Sequence, residues 1–122
     1  MPTSKARTAL LAQVDFADAS FNVARSALLV HALTVDPTLL MDATADRLHQ
    51  EVRRSMYPAS MALVGRLREQ GIPAAISGAG PTVIAFAGPT TADVVAATVE
   101  PGWRVIRTAV AARGARAVPT HP

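Results

Sequence analysis

The chain has 122 residues, half of them hydrophobic, 17 % charged and 4 % aromatic, which makes one domain able to bury roughly two thirds of its unfolded surface and rules out two. Its net charge of +3 comes from eleven scattered Arg and the single Lys5 against nine acids, whereas nucleic-acid binders cluster their basic residues and interleave them with stacking aromatics, so no nucleic-acid partner is expected. With no cysteine present, disulfides, thiolate metal sites and cysteine nucleophiles are excluded together.

Residues 4–12 read as a short helix that Ser4 can cap, with Ala6, Ala9 and Leu10 in apolar spacing. The longest helical signal covers 15–35, with Asp15 as its N-cap. Asp18, Asn22 and Arg25 follow i, i+4, i+7 spacing and share one face, where an ordinary surface set of hydrogen bonds and ion pairs accounts for them. Beyond Ser26 the run Ala27-Leu28-Leu29-Val30-His31-Ala32-Leu33 is apolar nearly all round, which predicts deep burial of this half and a hydrogen-bonded core role for His31. Asp36-Pro37 restarts the chain as cap and first helical residue. Leu39, Leu40, Ala43, Leu48 and Val52 continue the apolar pattern, with Asp42, Asp46 and Arg47 outside it. A further helix over 59–70 carries Met61, Leu63, Val64 and Leu67, and Gly71 followed by Pro73 supplies its stop.

After Gly71 the period changes from helix to strand. Two short strands, 74–76 and 82–86, flank Ser77-Gly78-Ala79-Gly80-Pro81. A helix follows over 90–99, then a strand over 103–110 marked by alternation around Arg104 and Arg107, then a candidate fourth strand over 115–118 before the tail. Helices first and strand, turn, strand, helix, strand afterwards make an α+β arrangement, an antiparallel sheet with helices packed on one side. No apolar stretch reaches the ~20 residues that span a bilayer, and residues 1–7 lack the apolar region of a signal peptide. The expected location is cytoplasmic, with no membrane partner.

The glycine segment carries the most chemistry. Two glycines and a small residue between strands let backbone N–H groups converge on an anion, or serve simply as a tight hairpin turn. It is neither a P-loop nor a dinucleotide fingerprint, because the Lys-Ser/Thr end and the third Gly are missing and a strand follows where a helix should begin. His49 and His121 have no partner at metal-ligand spacing, and no nucleophile stands out.

In its full context, Gly71-Ile72-Pro73-Ala74-Ala75-Ile76-Ser77-Gly78-Ala79-Gly80-Pro81-Thr82-Val83 resembles the third motif of the GHMP kinases. Thr3-Ser4-Lys5-Ala6-Arg7 with Asp18 and Phe21-Asn22-Val23-Ala24-Arg25, and Asp46-Arg47-Leu48-His49-Gln50 leading into Arg53, resemble the homoserine kinases of that family. The resemblance spans Thr3 to about Val118 and implies a ferredoxin-like GHMP kinase C-terminal domain over 1–122, with the N-terminal nucleotide-binding half absent. It further implies ATP-dependent phosphorylation of L-homoserine in threonine biosynthesis, by a chain inactive alone. ATP and Mg²⁺ are the implied cofactors, with their main binding groups in the other half, and a separate N-terminal half or a homodimer partner would complete the enzyme. The resemblance assigns Thr3, Arg7 and Arg53 to the amino-acid substrate, and a guanidinium suits a carboxylate because its planar fork matches it bidentately. It sets Ser77, Gly78, Ala79 and Gly80 beside the substrate and the transferred phosphoryl group. Leu11, Glu51 and Val52 depart from the family pattern, the latter two leaving Arg53 and Arg54 as alternatives. As surface charges, Arg7 and the Arg53-Arg54 pair also have an ordinary solvated reading. The alternative function is a stand-alone amino-acid-binding regulatory module without catalysis.

Overall fold

The long helical signal folds as α1, Phe16–Thr34, in the computed structural model of the chain, which describes residues 10–111, 113 and 114. Asp15 occupies the N-cap position without a side-chain cap bond. Asp36 does cap: its carboxylate accepts from the Thr38 N–H and hydroxyl and is held below the usual range by those bonds, the hydroxyl first. A 3-10 turn, Pro37–Leu39, leads directly into α2, Leu40–Ala43. The apolar pattern expected to continue through Leu48 and Val52 is broken at Thr44, and the chain resumes only as a 3-10 segment, Glu51–Met56.

Next comes α3, Pro58–Glu69, with Pro58 at its first position, where a missing N–H costs nothing. It ends in a Schellman motif: Ile72 N–H donates to Leu67 C=O at 2.9 Å, Gly71 N–H donates to Arg68 C=O at 3.0 Å, and Gly71 takes φ +75°. The strands β1, Ala74–Ile76, and β2, Val83–Ala85, pair antiparallel in the register Ala74↔Ala85, Ala75↔Ile84, Ile76↔Val83. Ser77 N–H to Thr82 C=O at 2.8 Å and Phe86 N–H to Pro73 C=O at 2.9 Å close the hairpin at its two ends. The last helix is α4, Ala92–Thr98.

The core lies where α3 meets one face of the hairpin: Leu63, Val64, Leu67, Ile72 and Ala74 are buried, and Val95, Val99 and Trp103 pack against them. That face carries α3 and α4, while Phe86, beyond the end of β2, packs against the α1–α2 cluster, so the helix-and-antiparallel-sheet composition matches the α+β reading but the helices are not confined to one side of the hairpin. A second, smaller cluster of Ala32, Leu40 and Ala43 joins α1 to α2, with Phe86 beside it.

Three expectations are corrected. The second half of α1 is not deeply buried: Ala32 is its buried residue, while Val30 is 65 % exposed and Leu33 52 %, and His31 is exposed too. Among the described residues, α1 is covered mainly on the side facing α2 and its 3-10 turn, with the 46–47 segment meeting its first half. Residues 103–110 carry strand alternation but join no ladder, because a strand needs a hydrogen-bonding neighbour and none of the described segments supplies one. Of the helix expected over 4–12, residues 10–12 are not helical; its beginning, like the strand expected over 115–118, lies outside the described residues.

Candidate functional site

The glycine loop is fixed from beneath. Gly78 and Gly80 take φ +60° and +79°, values that L side chains rarely adopt, and the Gly80-Pro81 peptide is cis. A Cβ on Gly80 would stand 2.7 Å from Tyr57 Cε1 and 3.2 Å from Ile76 Cγ2, so glycine is required there by both conformation and space. The Ser60 hydroxyl of α3 donates to Pro81 C=O at 2.6 Å and ties the loop to the helix start. Gly80 N–H is used internally, to Ser77 C=O at 3.1 Å. The N–H groups of Gly78 and Ala79 have no partner among the described residues and remain available.

Opposite the loop, a polar knot holds the segment between α2 and the 3-10 turn at 51–56. Asp46 Oδ1 accepts from Asn22 Nδ2 at 2.6 Å and from Leu48 N–H at 3.4 Å, and lies 2.8 Å from His49 Nδ1. Its Oδ2 accepts from the N–H groups of His49 at 2.8 Å and Gln50 at 2.6 Å. The side chain is 13 % exposed. Burial pushes its carboxyl up, but the Gln50 N–H, the His49 ring, the Asn22 amide and the His49 N–H together outweigh that and hold it down at about 2. Asn22 Oδ1 in turn accepts from Arg47 N–H at 2.9 Å, and Arg47 pairs with Asp18 at 3.3 Å. Gln50 Oε1 accepts from Ile76 N–H at 2.8 Å, which locks this segment to β1 one residue before the glycine loop.

Between the knot and the loop lies a cleft of about 460 Å³, lined among others by Asn22, Arg25, Asp46, His49, Arg53 and Gly78. Its floor is the hairpin face away from α3, where Ala75 and Ile84 point. The two adjacent arginines separate here. Arg53 is buried and lines the cleft. Arg54 is exposed and makes a bidentate pair with Glu51, Nε and Nη2 each 2.8 Å from a carboxylate oxygen, a contact that raises its pKa. Glu51, one of the departures from the family pattern, is thus what engages Arg54 away from the cleft.

Of the residues singled out in the sequence, Arg53 and Gly78 meet at the cleft; Thr3 and Arg7 lie outside the described residues. Asp46, expected on the outside, is the hub of the knot, and Gln50, Tyr57 and Ser60 were missed. The signal for Asp46 was present: a short acid followed by free N–H groups two to four residues on, before a turn, is a local capping pattern. Tyr57 and Ser60 serve the loop from 20 or more residues away, and no local pattern reveals that. Among the described residues no group of three or more His, Asp or Glu is placed to hold a metal ion, and no helix is long and apolar enough to cross a membrane.

Buried Arg53 and the Gly78 loop, whose Gly78 and Ala79 N–H groups have no partner among the described residues, thus border one cleft on an α+β body. Residues 30–102 match the family described as GHMP kinases C terminal, and the chain belongs to that family. It is 54 % identical to a homoserine kinase of Streptomyces avermitilis over 96 % of its length, and 51 % identical to the homoserine kinase of Streptomyces coelicolor over the same share. A homoserine kinase of Rhodococcus erythropolis is 46 % identical over 89 % of the chain. The chain spans 38 % of the length of the two Streptomyces relatives and 35 % of the third.

Proposed function

We propose that this domain forms the substrate side of an ATP-dependent kinase that phosphorylates the hydroxyl of L-homoserine, giving O-phospho-L-homoserine for threonine biosynthesis in the cytoplasm. The observation that carries the reading is the meeting of buried Arg53 and the Gly78 loop on one cleft, in a chain whose relatives bear that name. Arg53, with Arg7 and Thr3, holds the amino acid by its carboxylate, since a fork of guanidinium donors fixes both position and orientation. The N–H of Gly78, which lines the cleft and has no partner among the described residues, faces the oxygens of the transferred phosphoryl group, where charge stabilisation is the main contribution a protein makes. The substrate hydroxyl oxygen bonds to the terminal phosphorus of ATP, the bridging P–O bond breaks, ADP leaves and the hydroxyl proton is lost. ATP brings Mg²⁺ with it. The described residues do not fit that ion, because they hold no metal-binding cluster and both Asp46 oxygens are taken by protein donors. No step is therefore assigned to a metal on this chain.

The chain spans 38 % of the Streptomyces avermitilis relative's length, and this reading assigns nucleotide binding to the part of that relative which the chain does not span. An ADP-release assay with L-homoserine tests this, run on the chain alone and with the N-terminal portion of the Streptomyces avermitilis relative supplied separately. Turnover is expected only in the second case. Absence of turnover while the two parts associate overturns the kinase reading, and tight threonine binding by the chain under those conditions turns it into a regulatory amino-acid module.

A further inference from the structure

Among the described residues, the cleft is lined by a guanidinium that the reading above does not use. Arg25, one turn beyond Asn22 on α1, lines the cleft together with Arg53. Its Nε is shut off from solvent and has no hydrogen-bond partner. The contact it does make is with Phe21, whose ring centroid lies 4.6 Å from its guanidinium carbon. Arg47 shares that ring at 3.9 Å but differs in having a carboxylate, Asp18. No carboxylate serves Arg25 among the described residues. The acid of the cleft, Asp46, is already occupied by Asn22, His49 and the N–H groups that follow it. The buried Nε shows that the fold supplies this guanidinium with no acceptor there, and a guanidinium lining an open cleft without a carboxylate partner gains a charge-assisted hydrogen bond when an oxyanion enters. The Phe21 ring holds the planar group without using any of its five donors.

We propose that Arg25 is a further oxyanion-binding guanidinium of the cleft, acting with Arg53 on the carboxylate or phosphate of a small ligand. The inference rests on the cleft being the amino-acid site proposed above, but its test separates the two. The full chain is titrated by calorimetry with L-homoserine, which carries a carboxylate, and separately with inorganic phosphate. The variants are Arg25→Gln, Arg25→Lys and, as a charge-matched control away from the cleft, Arg66→Gln, whose partner is Glu100. Arg25→Gln is expected to weaken at least one of the two ligands about tenfold or more, the scale of one lost charge-assisted contact. Arg25→Lys, which keeps the charge and loses the fork, should recover part of that, and Arg66→Gln should change neither. Loss confined to L-homoserine assigns the carboxylate; loss confined to phosphate assigns the phosphoryl position.

Three results overturn the proposal: binding of neither ligand by the parent chain, unchanged binding by Arg25→Gln, or equal weakening by Arg25→Gln and Arg66→Gln. Should Arg25→Gln not fold, Arg25→Lys decides, because a merely structural role for the stacked cation leaves its affinities at the parent values. Arg25-dependent phosphate binding without turnover in the completed enzyme keeps this inference and sinks the kinase reading. Turnover with a KM for L-homoserine unmoved in Arg25→Gln, together with unchanged phosphate binding, does the reverse.

Discussion

The hairpin side and the α1 side of the cleft are held by different forces. On the hairpin side, Leu63, Val64, Leu67, Ile72 and Ala74 form a closed apolar core under the sheet, and burying each large aliphatic chain contributes roughly 1.5–3 kcal/mol. On the α1 side, a helix of 19 residues buries only Ala32 and shares a three-residue cluster with α2. Among the described residues, its other attachments are the half-buried Leu28 and Leu29 beside that cluster, the Arg47 guanidinium stacked on Phe21, and polar contacts of Asn22 with Asp46 and Arg47 N–H and of Asp18 with Arg47. The glycine loop therefore stands chiefly on packing and neutral hydrogen bonds, which do not titrate, whereas the opposite wall, with Arg25 and the Asp46 knot, stands on contacts that titrate and screen. Rigid donors on one wall and adjustable charges on the other are a workable division for the anion site proposed above.

The sharpest way to break the comparison is on the packed side. Leu67 is 1 % exposed at the centre of the core, so Leu67→Ala should cost about 2–5 kcal/mol, the range for a buried leucine truncated to leave a cavity. Urea unfolding followed by circular dichroism measures it. A loss under about 1 kcal/mol would mean that the core relaxes freely and that the glycine loop has no rigid base.

Much of this packed side was legible in the sequence, because periodicity and stop signals act locally. The spacing of Met61, Leu63, Val64 and Leu67 with Gly71 beyond it predicts α3 and its end, and the change of period at Ala74 predicts the hairpin. The α1 side was harder to read. An all-round apolar run in α1 predicts burial, but a pattern does not say which side has a neighbour, and Val30 and Leu33 are exposed. Leu48 and Val52 keep helical spacing across a stretch that is not α-helical, because Asp46 captures the N–H groups of residues 48–50 and offers the backbone an alternative to the helix. Arg53 and Arg54 are adjacent in sequence, and only the 3-10 turn at 51–56 decides which of them enters the cleft.

The polar side should yield to Asp46→Ala, with a smaller stability loss of about 2 kcal/mol and a distinctive pH dependence. The folded carboxyl is held at about 2 against an ordinary 3.8. A depressed pKa means that the stabilisation is fully present above the unfolded value and is lost as pH falls through the folded one. The gap between parent and Asp46→Ala should therefore be constant from neutral pH to about 4 and then shrink on acidification toward about 2. Denaturant midpoints of the two proteins across that window check it. A gap that grows on acidification would place the Asp46 contribution in the protonated form and remove the knot from the account of the cleft wall.

The smallest effect is expected one residue from a large one. Arg54 and Glu51 are exposed and joined by an i, i+3 pair on the outer surface, where side-chain ordering and solvent screening cancel most of the Coulomb attraction. Arg54→Gln should leave both the melting temperature and the affinity for L-homoserine at parent values, at low and at high salt. Arg53→Gln, at a buried position lining the cleft, should weaken L-homoserine about tenfold or more by removing a charge-assisted fork. Because the two substitutions change net charge identically, a long-range field effect moves both alike. A difference confined to Arg53 reflects its buried place on the cleft wall and not its net charge, and equal losses at the two positions would dissolve the distinction that the 3-10 turn draws between neighbouring arginines.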